Sequence, residues 1–151
     1  MTALGDFTAG DVLQASDLNA IGAWTAFTPS WNNFTVGNGT QDFAYCLINN
    51  VMLLNGFLTL GTTSVMGSNP SFNLPASKTV QRPAIAGVTA RDFGVATRLF
   101  YAVPVTGSTT IGFSYWTPAG SVINNAAVSA TTPWTWANGD YIRISIVMEV
   151  D

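Results

Sequence analysis

Side chains that commonly perform acid–base, nucleophilic or metal chemistry are sparse in this sequence. Its 151 residues include one cysteine, no histidine and eight acidic residues. General acid–base catalysis needs a base held close to a partner group, yet the acidic residues are scattered along the chain. They are Asp6, Asp11, Asp17, Asp42, Asp92, Asp140, Glu149 and Asp151. This pattern predicts a protein that is not an enzyme and that binds neither a metal ion nor a cofactor.

Two of the reactive residue types have simple structural interpretations. Cys46 lies in an alternating segment, residues 43–48, and no histidine is present to activate its thiol, so we expect a small buried apolar side chain. Asp140 follows Asn138 and Gly139, a pair typical of turns, and we expect a turn residue before the last strand. Neither residue is predicted to perform chemistry.

Aromatic side chains are the strongest indication of binding. The chain has five tryptophans, and the spacing of Trp134 and Trp136 puts both on one face of an extended segment. Stacked against sugar rings, this pair would form a glycan contact. Packing beneath loops or at a subunit seam is the preferred interpretation of the same two residues.

The composition points to surfaces that are covered by other molecules. Only 9% of the residues are charged, 48% are hydrophobic, and the mean hydropathy is +0.30. No apolar stretch approaches the roughly 18 residues that a spanning helix needs, so we expect no membrane insertion. The net charge of −3 gives no general attraction to nucleic acid. We therefore expect a subunit whose outer faces meet copies of itself or neighbouring proteins.

The chain divides into a short arm and one domain. Residues 1–23 are predicted to form an anchoring arm with one short helical turn, which Ser16 would cap and Gly22 would end. This arm is too short to fold alone, so it must dock onto another surface. Its spaced apolar residues are the candidate anchors: Val12, Leu13, Leu18 and Ile21.

Residues 24–151 are predicted to fold as an all-β domain. β-Branched and aromatic residues alternate with Gly, Pro and Asn punctuation, which indicates about eight strands in an antiparallel, jelly-roll-like β-sandwich. The clearest strand, residues 141–150, alternates apolar with mostly polar side chains and should bury one face. Two hairpins are expected: one joins residues 43–48 to 51–60 through an Asn-Asn turn, and the other joins residues 99–105 to 109–116.

The segment 51–60 is apolar on both faces in its first half. Val51, Leu53 and Phe57 share the face opposite the expected core, so they are a candidate oligomer interface. A strand covered on both sides within one subunit would give the same pattern, and the two explanations stay open.

Several segments resemble phage virion proteins, especially minor tail and tail-fibre proteins of phages that infect actinobacteria. The similar segments span almost the whole chain: FTAGDVLQASDLNAI at 7–21, WTAFTPSW at 24–31, GNGT at 37–40 followed by Tyr45, FNLP at 72–75, and PWTWANGD at 133–140. The first is similar to an arm that precedes many such domains. The chain departs from typical fibre proteins because it has no long shaft, collagen-like repeat or coiled coil.

This resemblance implies a β-sandwich that trimerises and is tied to the particle by its N-terminal arm. We therefore expect a homotrimeric minor tail or tail-fibre-like protein, made in the host cytoplasm, whose partners are itself and other virion proteins. Contact with a host surface glycan is left open. A capsid decoration protein is the first alternative, and a stand-alone glycan-binding module, which would need no particle, is the second.

Overall fold

A computed structural model describes residues 21–82, 86–119 and 122–151. These residues form eleven β-strands and one short 3-10 turn, Pro75–Ser77. The strands are β1 Thr25–Ala26, β2 Trp31–Thr35, β3 Thr40–Ile48, β4 Val51–Thr59, β5 Val65–Asn73, β6 Val80–Arg82, β7 Ala86–Asp92, β8 Ala96–Pro104, β9 Thr110–Ala119, β10 Val122–Ala127 and β11 Tyr141–Val150.

All strands belong to one antiparallel sheet. Its main path runs β1-β3-β4-β11-β7-β8-β9-β5-β2, while β6 pairs with β11 and β10 pairs with β9. The two ends of the path approach each other, because Nε1 of Trp31 on β2 donates a 2.8 Å hydrogen bond to Oε1 of Gln41 on β3. The sheet therefore curls around a single core.

The core is filled from the inner face of this curled sheet. Ile142, Ile144, Ile146, Met148 and Val150 of β11 are all buried, which confirms the predicted alternation of the last strand. The strand beside it, β4, contributes fully buried side chains at alternate positions. Rings from four other strands meet above these two with centroids 5.1 to 6.2 Å apart: Trp31, Phe34, Phe43, Phe72 and Phe113.

A glycine makes the close approach of one ring possible. Gly56 on β4 is the cross-strand partner of Phe43, whose side chain lies over it. A Cβ at position 56 would stand 2.2 Å from Cε1 of Phe43, far inside van der Waals contact. Strand β4 therefore needs a residue without a side chain at this point.

The structure confirms the predicted all-β, antiparallel class and both hairpins. Ile48 pairs with Val51 across the Asn-Asn turn, and β8 pairs with β9 across the second expected turn. The jelly-roll sandwich is not confirmed, since the described strands form one curled sheet and number eleven where about eight were expected. The predicted helical turn and the arm residues Val12, Leu13 and Leu18 lie outside the described residues.

Candidate assembly and binding surface

The outer face of the sheet is organised by cross-strand register. Residues that face each other across antiparallel strands point to the same side, so each register pair extends a row of side chains across the sheet. On β4 and β11 the odd-numbered residues point away from the core, since their even-numbered neighbours are buried. The outer face defined here is this side of β3, β4, β11, β7 and β8.

One end of the outer face carries an apolar patch, which consists of Ile48, Val51, Leu53 and Val147. Leu53 pairs with Val147 across β4 and β11, and Val51 pairs with Ile48 across β3 and β4. Ile48, Val51 and Val147 are 43%, 40% and 50% exposed. Two of the three predicted interface residues, Val51 and Leu53, thus lie side by side in an unburied apolar cluster.

The chain enters the domain beside this apolar patch. A Cβ at Gly22 would be 3.6 Å from both Sγ of Cys46 and Cδ1 of Ile48, so the entering segment lies against the outer face of β3. This contact helps to bury Cys46, as predicted from its setting. Ile21, the one predicted anchor among the described residues, remains exposed. The arm therefore joins the body next to the apolar patch.

Phe57, the third predicted interface residue, lies apart from Val51 and Leu53. Its cross-strand neighbour on β11 is Arg143, whose Cζ is 5.2 Å from the Phe57 ring centroid and 5.3 Å from that of Tyr141. A guanidinium at such distances is attracted to the negative faces of both rings. Phe57 therefore belongs to an aromatic–arginine cluster and not to the apolar patch.

A row of small residues separates this cluster from the apolar patch. Asn55, Ser145 and Gly87 pair in sequence across β4, β11 and β7. Because large side chains stand on one side of this row, it forms the floor of an open concavity of about 590 Å³. Phe57, Arg143 and Thr89 line the same concavity.

A second concavity continues the surface toward β9. Leu99 on β8 is the cross-strand partner of Thr89, which lines the first concavity. Thr97, Arg98, Leu99 and Trp116 line the second, whose volume is about 500 Å³. Trp116 is 50% exposed and stacks on Tyr101 with ring centroids 4.7 Å apart. We call the two concavities together the trough.

Positive charge is concentrated around the trough. Arg91 and Arg143 point to the outer face there. Arg98 also lines the second concavity, but its cross-strand partner is the buried Ala90, so its position on β8 belongs to the opposite face. Arg91 lies beside Tyr141, and its hydrogen bond and positive charge, aided by the charge of Arg143, lower the pKa of the Tyr141 hydroxyl from its ordinary value. One acidic residue, Asp42, lies in the same cross-strand row as Arg143, because it is the β3 partner of Phe57.

Arg91, Arg98 and Arg143 make no ion pair with a carboxylate among the described residues. The salt bridge found among these residues joins Arg82 to Glu149 at 3.3 Å, where β11 meets β6 and away from the trough. The trough is therefore a locally cationic surface on a chain whose net charge is −3.

The structure places both predicted glycan-contacting tryptophans against the core. Trp134 and Trp136 contact each other at 5.2 Å and lie 6.2 and 6.1 Å from the Phe100 ring. Nε1 of Trp136 donates a hydrogen bond to the carbonyl oxygen of Ser129. Both are half-buried, an arrangement that the packing interpretation expects. Trp116 offers a more exposed ring to a ligand than either residue does.

Sequence reasoning did not single out the trough. Its aromatic and polar residues sit on different strands, and only the register of β4, β11, β7 and β8 brings them together. The one available signal was the alternation of Tyr141 and Arg143 on the outward face of the last strand. Within the described residues, no cluster of potential metal ligands occurs. None of the helices in that same part of the chain is long and apolar enough to cross a membrane.

No protein-family model, curated protein or solved structure matches this chain. The geometry of the outer face and the sequence resemblance described above therefore carry the functional argument.

Proposed function

We propose that this chain is a structural, non-enzymatic protein of a bacteriophage particle, a homotrimeric minor tail or tail-fibre-like subunit held to the particle by residues 1–23. The proposal takes its class from the sequence resemblance. Its main structural support is the apolar patch, which lies next to the point where the arm joins the body.

The apolar patch suits an interface between copies better than an exposed surface. Ile48, Val51 and Val147 leave a large part of their side chains in water, and removal of this apolar area from water favours association. The patch spans three strands, with Ile48 on β3, Val51 and Leu53 on β4, and Val147 on β11. Glu149, the β11 partner of Val51, forms one charged edge of it.

The arm adds a second point of attachment. Ile21 is exposed and apolar, and Trp24, which follows it closely, is 51% exposed. Gly22, which lies between them in the sequence, packs beside Ile48, so one apolar region can serve both the subunit contact and the anchor to a neighbouring virion protein. The anchoring role of residues 1–23 and the boundary at residue 24 stay predictions.

A capsid decoration protein is the second candidate. It is favoured by the shape of the described body, in which one curled sheet surrounds one core and no shaft extends from it in the described residues. Both candidates use the arm and the apolar patch in the same way, and they differ in the particle surface that receives the arm.

Antibody labelling of purified particles tests the proposal. Particles released from cells that carry this gene would be labelled with an antibody against the 24–151 body and imaged by electron microscopy. Label at the tail would support the minor tail role, while label spread over the head would replace it by capsid decoration. Particles that contain none of this chain, by labelling and by mass spectrometry, would overturn the virion assignment.

A further inference from the structure

We propose that the trough is a binding site for a saccharide that carries carboxylate groups. The site uses Arg143, Phe57 and Trp116 as principal contacts, all of them distinct from the two tryptophans that the sequence suggested. It goes beyond the virion role and does not depend on it, because the isolated chain carries the whole trough.

The charge of the trough selects an anionic ligand. Arg143 faces solvent beside two aromatic rings and pairs with no carboxylate among the described residues, and Arg91 stands next to the same Tyr141 ring on the outer face. A guanidinium presents a planar fork of donors that matches a carboxylate. The rings of Phe57 and Tyr141 lie beside this guanidinium and attract it by their negative faces.

The floor of the trough offers hydrogen bonds to hydroxyl groups. The Asn55 amide and the Ser145 hydroxyl point outward from adjacent strands, and neither side chain takes part in a hydrogen bond within the described residues. Thr89 adds a third polar group on the next strand. Such convergent polar groups in a mostly apolar concavity are typical of small-molecule sites.

The aromatic end of the trough suits the apolar face of a sugar ring. Trp116 is held in place by its stack on Tyr101, so its exposed indole face is preordered for contact. Leu99, 71% exposed, extends this apolar end. Arg143 on β11 and Trp116 on β9 are three strand spacings apart, about 14 Å, so an extended oligosaccharide can touch both.

The direction of the trough favours a saccharide over an acidic peptide. A peptide that adds to a sheet pairs with free backbone groups at an edge strand. The trough instead runs across β4, β11, β7 and β8, which are paired with neighbours on both sides. Its floor therefore presents side chains to a ligand, and no unpaired strand edge.

Calorimetric titration of the full chain with defined probes tests the proposal. The probes are short oligomers of galacturonate, glucuronate and mannuronate, the neutral galactose oligomer, a glycerol-phosphate oligomer and a poly-glutamate peptide. We expect at least one uronate oligomer to bind and its affinity to fall with added salt, since the arginines are exposed. The neutral oligomer should bind at least about tenfold more weakly, the factor that one charged hydrogen bond supplies.

Substitutions identify the surface that binds. Arg143→Gln and Trp116→Ala should each weaken uronate binding by about tenfold or more. The control variants are Arg82→Gln and Trp24→Ala, which remove an exposed arginine and an exposed tryptophan away from the trough. Each should change the affinity for the uronate oligomer less than about twofold. Arg143→Lys keeps the charge but loses the fork, so it should weaken binding in part, and unfolding curves check that every variant is folded.

Several results would overturn the proposal. Failure of all three uronate oligomers to bind the wild type would exclude the site. Equal loss of affinity in Arg82→Gln and Arg143→Gln would show nonspecific attraction to charge. If the glycerol-phosphate oligomer bound more tightly than the uronates, the natural ligand would carry phosphodiester groups and not carboxylates. If poly-glutamate bound more tightly, the natural ligand would be a peptide and not a saccharide.

Discussion

Asp140 holds the turn that precedes it to a second turn, because its Oδ1 accepts a 2.9 Å hydrogen bond from the backbone N–H of Phe93, 47 residues earlier. Its other oxygen, Oδ2, accepts a hydrogen bond from the backbone N–H of Ala137. The side chain is buried, so water does not compete for these two hydrogen bonds. The turn role expected from Asn138 and Gly139 is present, and a link between two distant loops is added to it.

Replacement of Asp140 should therefore destabilise the fold. Asp140→Ala leaves the N–H groups of Phe93 and Ala137 without their acceptors, and we expect the free energy of unfolding to fall by about 3 kcal/mol. Asp140→Asn keeps one acceptor oxygen and should lose less. Urea unfolding followed by circular dichroism measures both. An Asp140→Ala variant as stable as the wild type would show that the two turns are held by other contacts.

The glycine beneath Phe43 gives a second stability prediction. Gly56→Ala places a methyl group inside the space of the Phe43 ring, and overpacking of this kind costs about 1–3 kcal/mol. Gly87→Ala is a matched control on the neighbouring part of the sheet, because the nearest atom to a Cβ there is the Ser145 carbonyl oxygen at 3.7 Å. Thermal unfolding should separate the two variants. Equal loss in both would mean that strand propensity, and not the ring contact, sets the effect.

The elements with local patterns were predictable from the sequence. The buried and outward positions of residues 141–150 follow from strict alternation, and the Asn-Asn turn fixes its hairpin because asparagine tolerates positive φ, as Asn49 does with φ of 53°. Closure of the sheet depends instead on Trp31 and Gln41, which lie on strands at opposite ends of the sheet path. Alternation assigns faces to a strand but does not order the strands, so one curled sheet and a two-sheet sandwich give similar sequences.

The candidate site was predictable only in part, for the same reason. Val51, Leu53 and Phe57 were correctly placed on one face of β4, yet their division between two clusters depends on neighbours in β11. Those neighbours, Val147 and Arg143, are about ninety positions away in the sequence and are brought in by register alone. Trp116 is half exposed while Trp134 packs against the core, and no local sequence pattern predicts that difference.

The apolar patch should carry self-association. Leu53→Asp and Val147→Asp each place a carboxylate in the expected interface, where burial without a partner is costly, and should weaken self-association by about a hundredfold or more. Val105→Asp, at an exposed position between β8 and β9, is the control. Light scattering after size-exclusion chromatography gives the mass of each species. Wild-type chain that runs as a monomer at high concentration would contradict the homotrimer.

The pair of Arg91 and Tyr141 gives a pH-dependent prediction. Arg91 stabilises the Tyr141 phenolate by a hydrogen bond and by its charge, so the pKa of this tyrosine lies below its ordinary value in the folded protein. Arg91→Gln should raise that pKa toward 10, the value for a tyrosine free in water. Ultraviolet difference titration follows phenolate formation, and Tyr141→Phe identifies the contribution of this residue among the four tyrosines.

The same pair sets the sign of a stability change at alkaline pH. Because the folded-state pKa of Tyr141 is lowered, the folded protein loses this proton before the unfolded chain does. The resulting stabilisation is complete above the unfolded pKa of about 10 and is lost as the pH falls through the folded value. Wild type should therefore gain stability relative to Arg91→Gln as the pH rises through that window. A constant difference between their unfolding curves across the window would contradict the assignment of the shift to Arg91.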